Sequence, residues 1–122
     1  MRDAAQALHR AGAQAVLLKG GHLSGASSDD LLWDGTVERV LSAPRLSTTS
    51  THGTGCTLSS AIAAFLPQTN YLAAAVAKAK AYVTGALQSA DRLTVGGGHG
   101  PVHHFHELWQ CRGTAVDEGE VA

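Results

Sequence analysis

Two glycines one residue apart stand directly before an apolar helical stretch, at residues 50–66 of this chain of 122 residues. Gly53 and Gly55 flank Thr54, and Cys56 follows. Glycines let the backbone turn tightly and approach a ligand closely, and the helix behind them offers unpaired N–H groups and the positive end of its dipole. The pattern therefore predicts a site for phosphate or another anion that needs no cationic side chain.

This turn lacks the residues of the two commonest phosphate-binding motifs. A P-loop needs a lysine after its second glycine, where this chain has Cys56, and a dinucleotide fingerprint needs a third glycine, where Leu58 stands. Cys56 lies where a helix N-terminus favours the thiolate form of a cysteine. It could act as a base toward a substrate hydroxyl or as a nucleophile, and it could equally be an inert cysteine in a turn that only begins a helix.

The rest of the chain mixes helical and strand patterns. Apolar spacing predicts three helices, at 2–11, 57–66 and 71–87. Pro67 is expected to end the second helix, and the apolar run at 15–18 predicts a strand buried on both faces, which is typical of parallel sheets. Residues 31–41 predict a β-hairpin because Asp34-Gly35 supplies the positive φ of a tight turn. These elements are too few for a complete α/β sheet, so we expect part of a larger α/β domain.

Composition excludes several classes of function. Nine lysines and arginines against ten acidic residues give a net charge of −1, so there is no basic field for nucleic acid. The apolar runs at 61–66 and 71–77 are far shorter than the roughly 20 residues that span a bilayer. Because the N-terminal residues lack the apolar stretch of a signal peptide, a cytoplasmic location is the expectation. Cys56 and Cys111 are too few for a disulfide scaffold and predict free thiols.

Five separated blocks carry a family resemblance. They are AVLLKGGHL at 15–23, APRL at 43–46, THGTGCTL at 51–58, AKAKAY at 77–82 and GHGPVHHFH at 98–106. In this order they resemble the hydroxymethylpyrimidine/phosphomethylpyrimidine kinases of thiamine biosynthesis, members of the ribokinase-like superfamily. The resemblance implies α/β architecture: the C-terminal portion of a ribokinase-like three-layer α/β/α fold, with an incomplete sheet.

The same resemblance implies an activity and its co-substrates. The family phosphorylates the hydroxymethyl group of the pyrimidine with ATP and then adds a second phosphate to the monophosphate, with Mg²⁺ bridging phosphates. The anion hole for the transferring phosphoryl group would be formed by Gly53, Thr54 and Gly55. Cys56 matches the catalytic position, where most ribokinase-like enzymes have an aspartate base. Lys19 and Lys80 match lysines near the phosphates of ATP, whereas no metal ligand is assigned.

Two departures from the family pattern accompany the match. Ser50 stands where the family usually has an asparagine. The family's chains are also much longer, and their N-terminal half carries the first strands and most contacts to the pyrimidine. We therefore expect residues 1–110 to form the nucleotide-side part of a kinase domain, followed by a flexible tail at 111–122. Such a part would form a homo-oligomer or pair with a separate N-terminal half.

Other interpretations remain open from the residues themselves. The chain could be a non-catalytic remnant that binds only phosphate or a partner, or a kinase that acts on pyridoxal. It could also be a cysteine hydrolase or transferase that uses Cys56 with His52. His103, His104 and His106 suggest a metal site, but no cysteine or carboxylate with zinc-site spacing surrounds them, so structural packing is favoured.

Overall fold

The computed structural model describes residues 1–21 and 23–110. Its elements, in chain order, are α1 (Arg2–Arg10), β1 (Val16–Leu18), β2 (Asp30–Trp33), β3 (Glu38–Leu41), α2 (Thr54–Thr69), α3 (Leu72–Gln88), a 3₁₀ turn (Ala90–Arg92) and α4 (His106–Gln110). No helix in these ranges is long and apolar enough to cross a membrane. The tail expected at 111–122, including Cys111, lies outside the described residues.

The three strands form one antiparallel sheet in the order β1-β2-β3. Strands β2 and β3 are the predicted hairpin, and Gly35 takes the positive φ of 99° that its turn requires. The carboxylate of Asp34 closes the turn by accepting the backbone N–H groups of Thr36 at 3.0 Å and of Val37 at 2.8 Å. These hydrogen bonds stabilise the charged carboxylate and lower the pKa of Asp34. The hairpin is thus specified by two adjacent residues.

Strand β1 is covered by helices on both faces but does not belong to a parallel pair among the described residues. Val16 packs with Ala5 of α1, whereas Leu17 points into a cluster that contains Leu58 of α2 and Ala79 of α3. Helices on both sides of the sheet confirm the expected three-layer α/β/α portion. The expectation of a parallel partner was wrong for these residues, because a continuous apolar run reports cover on both faces and not strand direction.

Helix α2 is longer than the sequence predicted at both ends. It begins at Thr54 directly after Gly53, and it continues past Pro67 to Thr69. The expectation that Pro67 ends the helix was wrong, because a proline in the last turn removes only one late hydrogen bond. The Thr69 hydroxyl donates to the carbonyl of Phe65 at 3.0 Å and so satisfies a carbonyl near the helix end. The helix then stops at Asn70, whose φ is 60°.

Helices α2 and α3 pack against each other and fix the position of the α2 N-terminus. Small and apolar side chains form the buried face of α3, at Ala75, Val76, Ala79 and Ala86. In this packing, the start of α2 lies near the end of β1 and the middle of α3. These three places carry the residues that the sequence marked as a site.

Candidate functional site

The turn before α2 is built by backbone geometry. Gly53 is the N-cap residue, with a left-handed φ of 81°, and the helix starts at Thr54. The Gly53 carbonyl accepts the backbone N–H of Thr57 at 2.9 Å and its hydroxyl at 2.8 Å. The N–H groups of Gly55 and Cys56 belong to the first turn, where no helix carbonyl is available to them. They are free to donate to an anion at the positive end of the helix dipole.

Lys19 supplies a positive charge beside this turn. Its Nζ lies 3.5 Å from the point where a side chain at Gly55 would place its Cβ. Lys19 is exposed and forms no ion pair within residues 1–21 and 23–110. An uncompensated ammonium next to free N–H groups is a suitable arrangement for holding a phosphate.

Lys80 is a member of a buried ion pair and not a solvated helix charge. Its Nζ lies 2.7 Å from Oδ2 of Asp30 and donates to the carbonyl of Ser28 at 2.8 Å. The side chains are only 12% and 8% exposed. Since an ammonium has three donors, one remains for a ligand. The other carboxylate oxygen, Oδ1 of Asp30, accepts the N–H of Gly20 at 2.9 Å.

These residues border a cavity of about 330 Å³, a volume within the usual range of small-molecule sites. Its polar wall includes Lys19, Asp30, Arg45, Thr51, Thr54 and Lys80, and its apolar wall includes Leu46, Leu58, Val83 and Leu87. Three cations and one carboxylate leave the wall with an excess of positive charge. The cavity therefore suits a ligand that is apolar in one part and anionic in another.

The structure brings together some of the predicted site residues and separates others. Lys19, Thr54 and Lys80 line the cavity, whereas Gly53, Gly55 and Cys56 form the adjacent turn outside its wall. The thiol of Cys56 is free and exposed.

The His52–Cys56 pairing that a cysteine hydrolase would need is not formed in the described part of the chain. The backbone of His52 is instead tied to the 98–106 block, with its N–H donating to the carbonyl of Gly100 at 3.2 Å. A side chain at Gly100 would meet the hydroxyl of the buried Ser50 at 2.6 Å. This block therefore contacts the residues that directly precede the turn.

The histidines of the same block lie away from the cavity. His103 and His106 are buried, and His103 stacks edge-on against Trp109 with ring centroids 4.4 Å apart. His106 packs on Gly85, where a Cβ would stand 2.5 Å from its Nε2, and His104 is exposed. No group of three or more potential metal ligands occurs among the residues that the structure describes.

Most of the chain matches a protein family model. The family model for phosphomethylpyrimidine kinase matches residues 1–103. The chain belongs to the phosphomethylpyrimidine kinase family. The matched range contains α1 to α3, the whole sheet and every residue that lines the cavity.

Curated members of the phosphomethylpyrimidine kinase family are similar over most of the chain. The hydroxymethylpyrimidine/phosphomethylpyrimidine kinase of Rhizobium meliloti is 53% identical over 110 residues, which cover 90% of this chain and 41% of the relative. The corresponding enzyme of Salmonella typhimurium is 52% identical over 104 residues, covering 85% of this chain and 39% of the relative. The chain thus spans about two fifths of the length of these relatives.

A solved kinase structure shares the fold of this phosphomethylpyrimidine kinase portion. The pyridoxal kinase of Staphylococcus aureus, in complex with AMP-PCP and pyridoxal, superposes with a TM-score of 0.81 and 33% identity. The match covers 88% of this chain and 39% of that kinase. It agrees with the expected portion of a ribokinase-like fold.

Two charged residues on the wall of this cavity were missed by sequence reasoning. In the sequence, Asp30 resembles the polar end of a hairpin strand, and in the structure it is the first residue of β2. Arg45 carries no signal in the sequence beyond its place in the APRL block. The sequence offered one weak signal for Asp30: it directly precedes the apolar run Leu31-Leu32, and a carboxylate that is buried beside such a run needs a partner. The partner itself, Lys80, is 50 residues away and could not be identified from spacing.

Proposed function

We propose that this chain is the nucleotide-binding and phosphoryl-transfer part of a kinase that phosphorylates hydroxymethylpyrimidine and its monophosphate with ATP. The observation that carries the proposal is the position of the Lys19 ammonium beside the open N-terminus of α2, at the end of a cavity. Phosphoryl transfer depends on positioning and on stabilising charge more than on covalent chemistry. An open helix terminus with a neighbouring ammonium supplies both.

Each residue of the site has a part in this proposal. At the turn of Gly53, Thr54 and Gly55, the free N–H groups of Gly55 and Cys56 serve as the anion hole for the transferring phosphoryl group. Lys19 balances the charge of that group. The free donor of Lys80 binds a nucleotide phosphate, while the apolar wall of the cavity accommodates the rest of the nucleotide. Cys56 is the proposed base that accepts the proton of the substrate hydroxyl as the new O–P bond forms and the bond to the ADP oxygen breaks.

Mg²⁺, when bound with the nucleotide, would supply positive charge that offsets the charge of the phosphates. Magnesium commonly binds through substrate phosphates, waters and one or two carboxylates. Among the residues that the structure describes, Asp30 is the one carboxylate on the cavity wall. Both of its oxygens are already engaged, by Gly20 and by Lys80. We therefore propose that the described residues bind the ion through the nucleotide and not through a cage of their own.

The proposal is tested by incubating the chain with Mg-ATP and hydroxymethylpyrimidine and following formation of the phosphorylated product. The Cys56→Ala variant should lose turnover but retain binding of AMP-PCP, because its thiol lies outside the cavity wall. Cys111→Ala is the matched control and should turn over like the parent. A covalent adduct on Cys56, or a parent chain that fails to bind AMP-PCP, would contradict the kinase proposal.

A pyridoxal-type kinase is a second candidate, favoured by the likeness to the pyridoxal kinase of Staphylococcus aureus. The same assay with pyridoxal as acceptor separates the two substrates. The chain spans about two fifths of its relatives, so the acceptor site is proposed to be completed by a second copy or by the N-terminal half that this sequence lacks. Binding of AMP-PCP without turnover of either acceptor would identify the chain as a nucleotide-binding part alone.

A further inference from the structure

Arg45, the arginine of the APRL block, spans the connection between β1 and β2. This connection, residues 19–21 and 23–29 as described, is called the β1–β2 loop. The guanidinium donates to the carbonyls of Gly21 at 2.6 Å, Gly25 at 2.8 Å, Ser27 at 2.9 Å and Gly20 at 3.4 Å. All four acceptors lie on this loop, and no carboxylate in the described part of the chain pairs with the guanidinium.

The backbone around Arg45 follows the same loop. The Arg45 N–H donates to the carbonyl of Ala26 at 2.9 Å, and the Ser28 N–H donates to the carbonyl of Ala43 at 2.8 Å. An isolated antiparallel bridge joins Ser27 to Pro44 between these two bonds. These backbone hydrogen bonds fix the end of the loop nearest β2. The guanidinium also binds the carbonyls of the glycines that follow β1.

The peptide groups around Gly20 are held from both directions. Asp30 accepts the N–H of Gly20 at 2.9 Å, and Arg45 donates to its carbonyl. A side chain at Gly20 would overlap the carbonyl oxygen of Asp29, so the backbone there fits closely against the start of β2. Lys19 is the next residue toward β1, and its ammonium lies beside the N-terminus of α2. The direction in which Lys19 leaves the backbone is therefore set by these contacts.

We propose that Arg45 is a positioning residue that holds the β1–β2 loop so that Lys19 faces the anion-binding turn. The inference rests on the proposed function for its consequence, since Lys19 is the ligand that is being placed. A planar guanidinium with five donors can bind several carbonyls in a fixed geometry, and an ammonium of equal charge cannot. Arg45 contributes through this geometry and not merely through its charge.

The test compares three variants of the complete chain. Arg45→Lys keeps the charge and loses the fork of donors, and Arg45→Gln loses the charge. Arg39→Lys is the matched control, because Arg39 is exposed on β3 and forms no side-chain hydrogen bond in the described ranges.

Two measurements are made on each variant. Amide hydrogen exchange is followed over the loop, with α3 as an internal reference for folding. Acetylation of Lys19, with and without Mg-AMP-PCP, reports whether the ammonium is in place.

We expect Arg45→Lys and Arg45→Gln both to exchange about tenfold faster in the β1–β2 loop, with α3 unchanged. Their affinity for AMP-PCP should fall by about tenfold, with loss of the protection of Lys19 from acetylation. If Arg45→Lys retains parental exchange and affinity while Arg45→Gln loses affinity, the role is one of charge and the inference is wrong. If the parent chain does not bind AMP-PCP, the proposed function fails, and loop exchange still decides whether Arg45 holds the loop.

Discussion

Two segments meet at the cavity, and they are held in place by different means. The turn before α2 takes its shape from its own residues, because Gly53 adopts a left-handed conformation and its carbonyl binds Thr57, four positions later. The distant 98–106 block contacts the residues that precede it, at Ser50 and His52. The β1–β2 loop is fixed by side chains from elsewhere, with Arg45 on its carbonyls and Asp30 on an N–H group. A locally built turn forms whenever its helix forms, whereas the loop depends on the complete tertiary structure.

The candidate site thus combines a part that is fixed locally with a part whose position depends on the rest of the fold. The N–H groups at the start of α2 have a fixed direction, since the helix itself orients them. Lys19 is a long, exposed side chain, and its position depends on the loop from which it extends. We therefore expect changes around the loop to alter the site more than changes in the turn, and the following variants are ordered from the largest expected effect to the smallest.

The largest effect is expected for Asp30→Asn. The amide can still accept the N–H of Gly20, but it leaves the buried ammonium of Lys80 without its counter-charge. Breaking a buried ion pair by removing one charge costs about 3 kcal/mol. Denaturant unfolding followed by circular dichroism measures the loss. The double variant Asp30→Asn/Lys80→Met removes both charges and should recover most of it. Equal losses in the single and double variants would show that the unpaired Lys80 ammonium is not the cause of the loss.

A smaller effect is expected for Gly20→Ala, with the neighbouring Gly21→Ala as its matched control. A Cβ at Gly20 would overlap the carbonyl oxygen of Asp29, and backbone atoms cannot yield as a flexible side chain can. Overpacking of this kind costs about 2 kcal/mol. A Cβ at Gly21 meets nothing within 4 Å, so that variant should stay within about 0.5 kcal/mol of the parent. Similar losses in both variants would mean that the loop is not held as closely as its contacts indicate.

The contrast between the two segments also explains what the sequence could predict. The hairpin at Asp34-Gly35 and the glycine turn before α2 were predictable, because each depends on residues within a few positions of one another. Asp30 with Lys80, and Arg45 with the loop carbonyls, join residues that are 50 and up to 25 positions apart. No periodicity connects such pairs. Pro67 shows the opposite error. The rule that a proline ends a helix is local, and it fails here because Pro67 lies in the last turn of α2, where the loss of one hydrogen bond is tolerated.

The smallest of these effects is expected for Gly53→Ala, at the locally built turn. An alanine in the left-handed conformation, at a φ of 81°, costs about 1 kcal/mol. Gly53→Asn should recover part of this loss, because asparagine tolerates the left-handed region and is also a favoured N-cap residue. Urea unfolding of both variants beside Gly97→Ala, which lacks a positive φ and has open space around it, measures the difference. Because the penalty is confined to one residue's φ, it should be smaller than that of Gly20→Ala. A larger loss at Gly53 than at Gly20 would reverse the comparison and make the turn the more demanding part of the site.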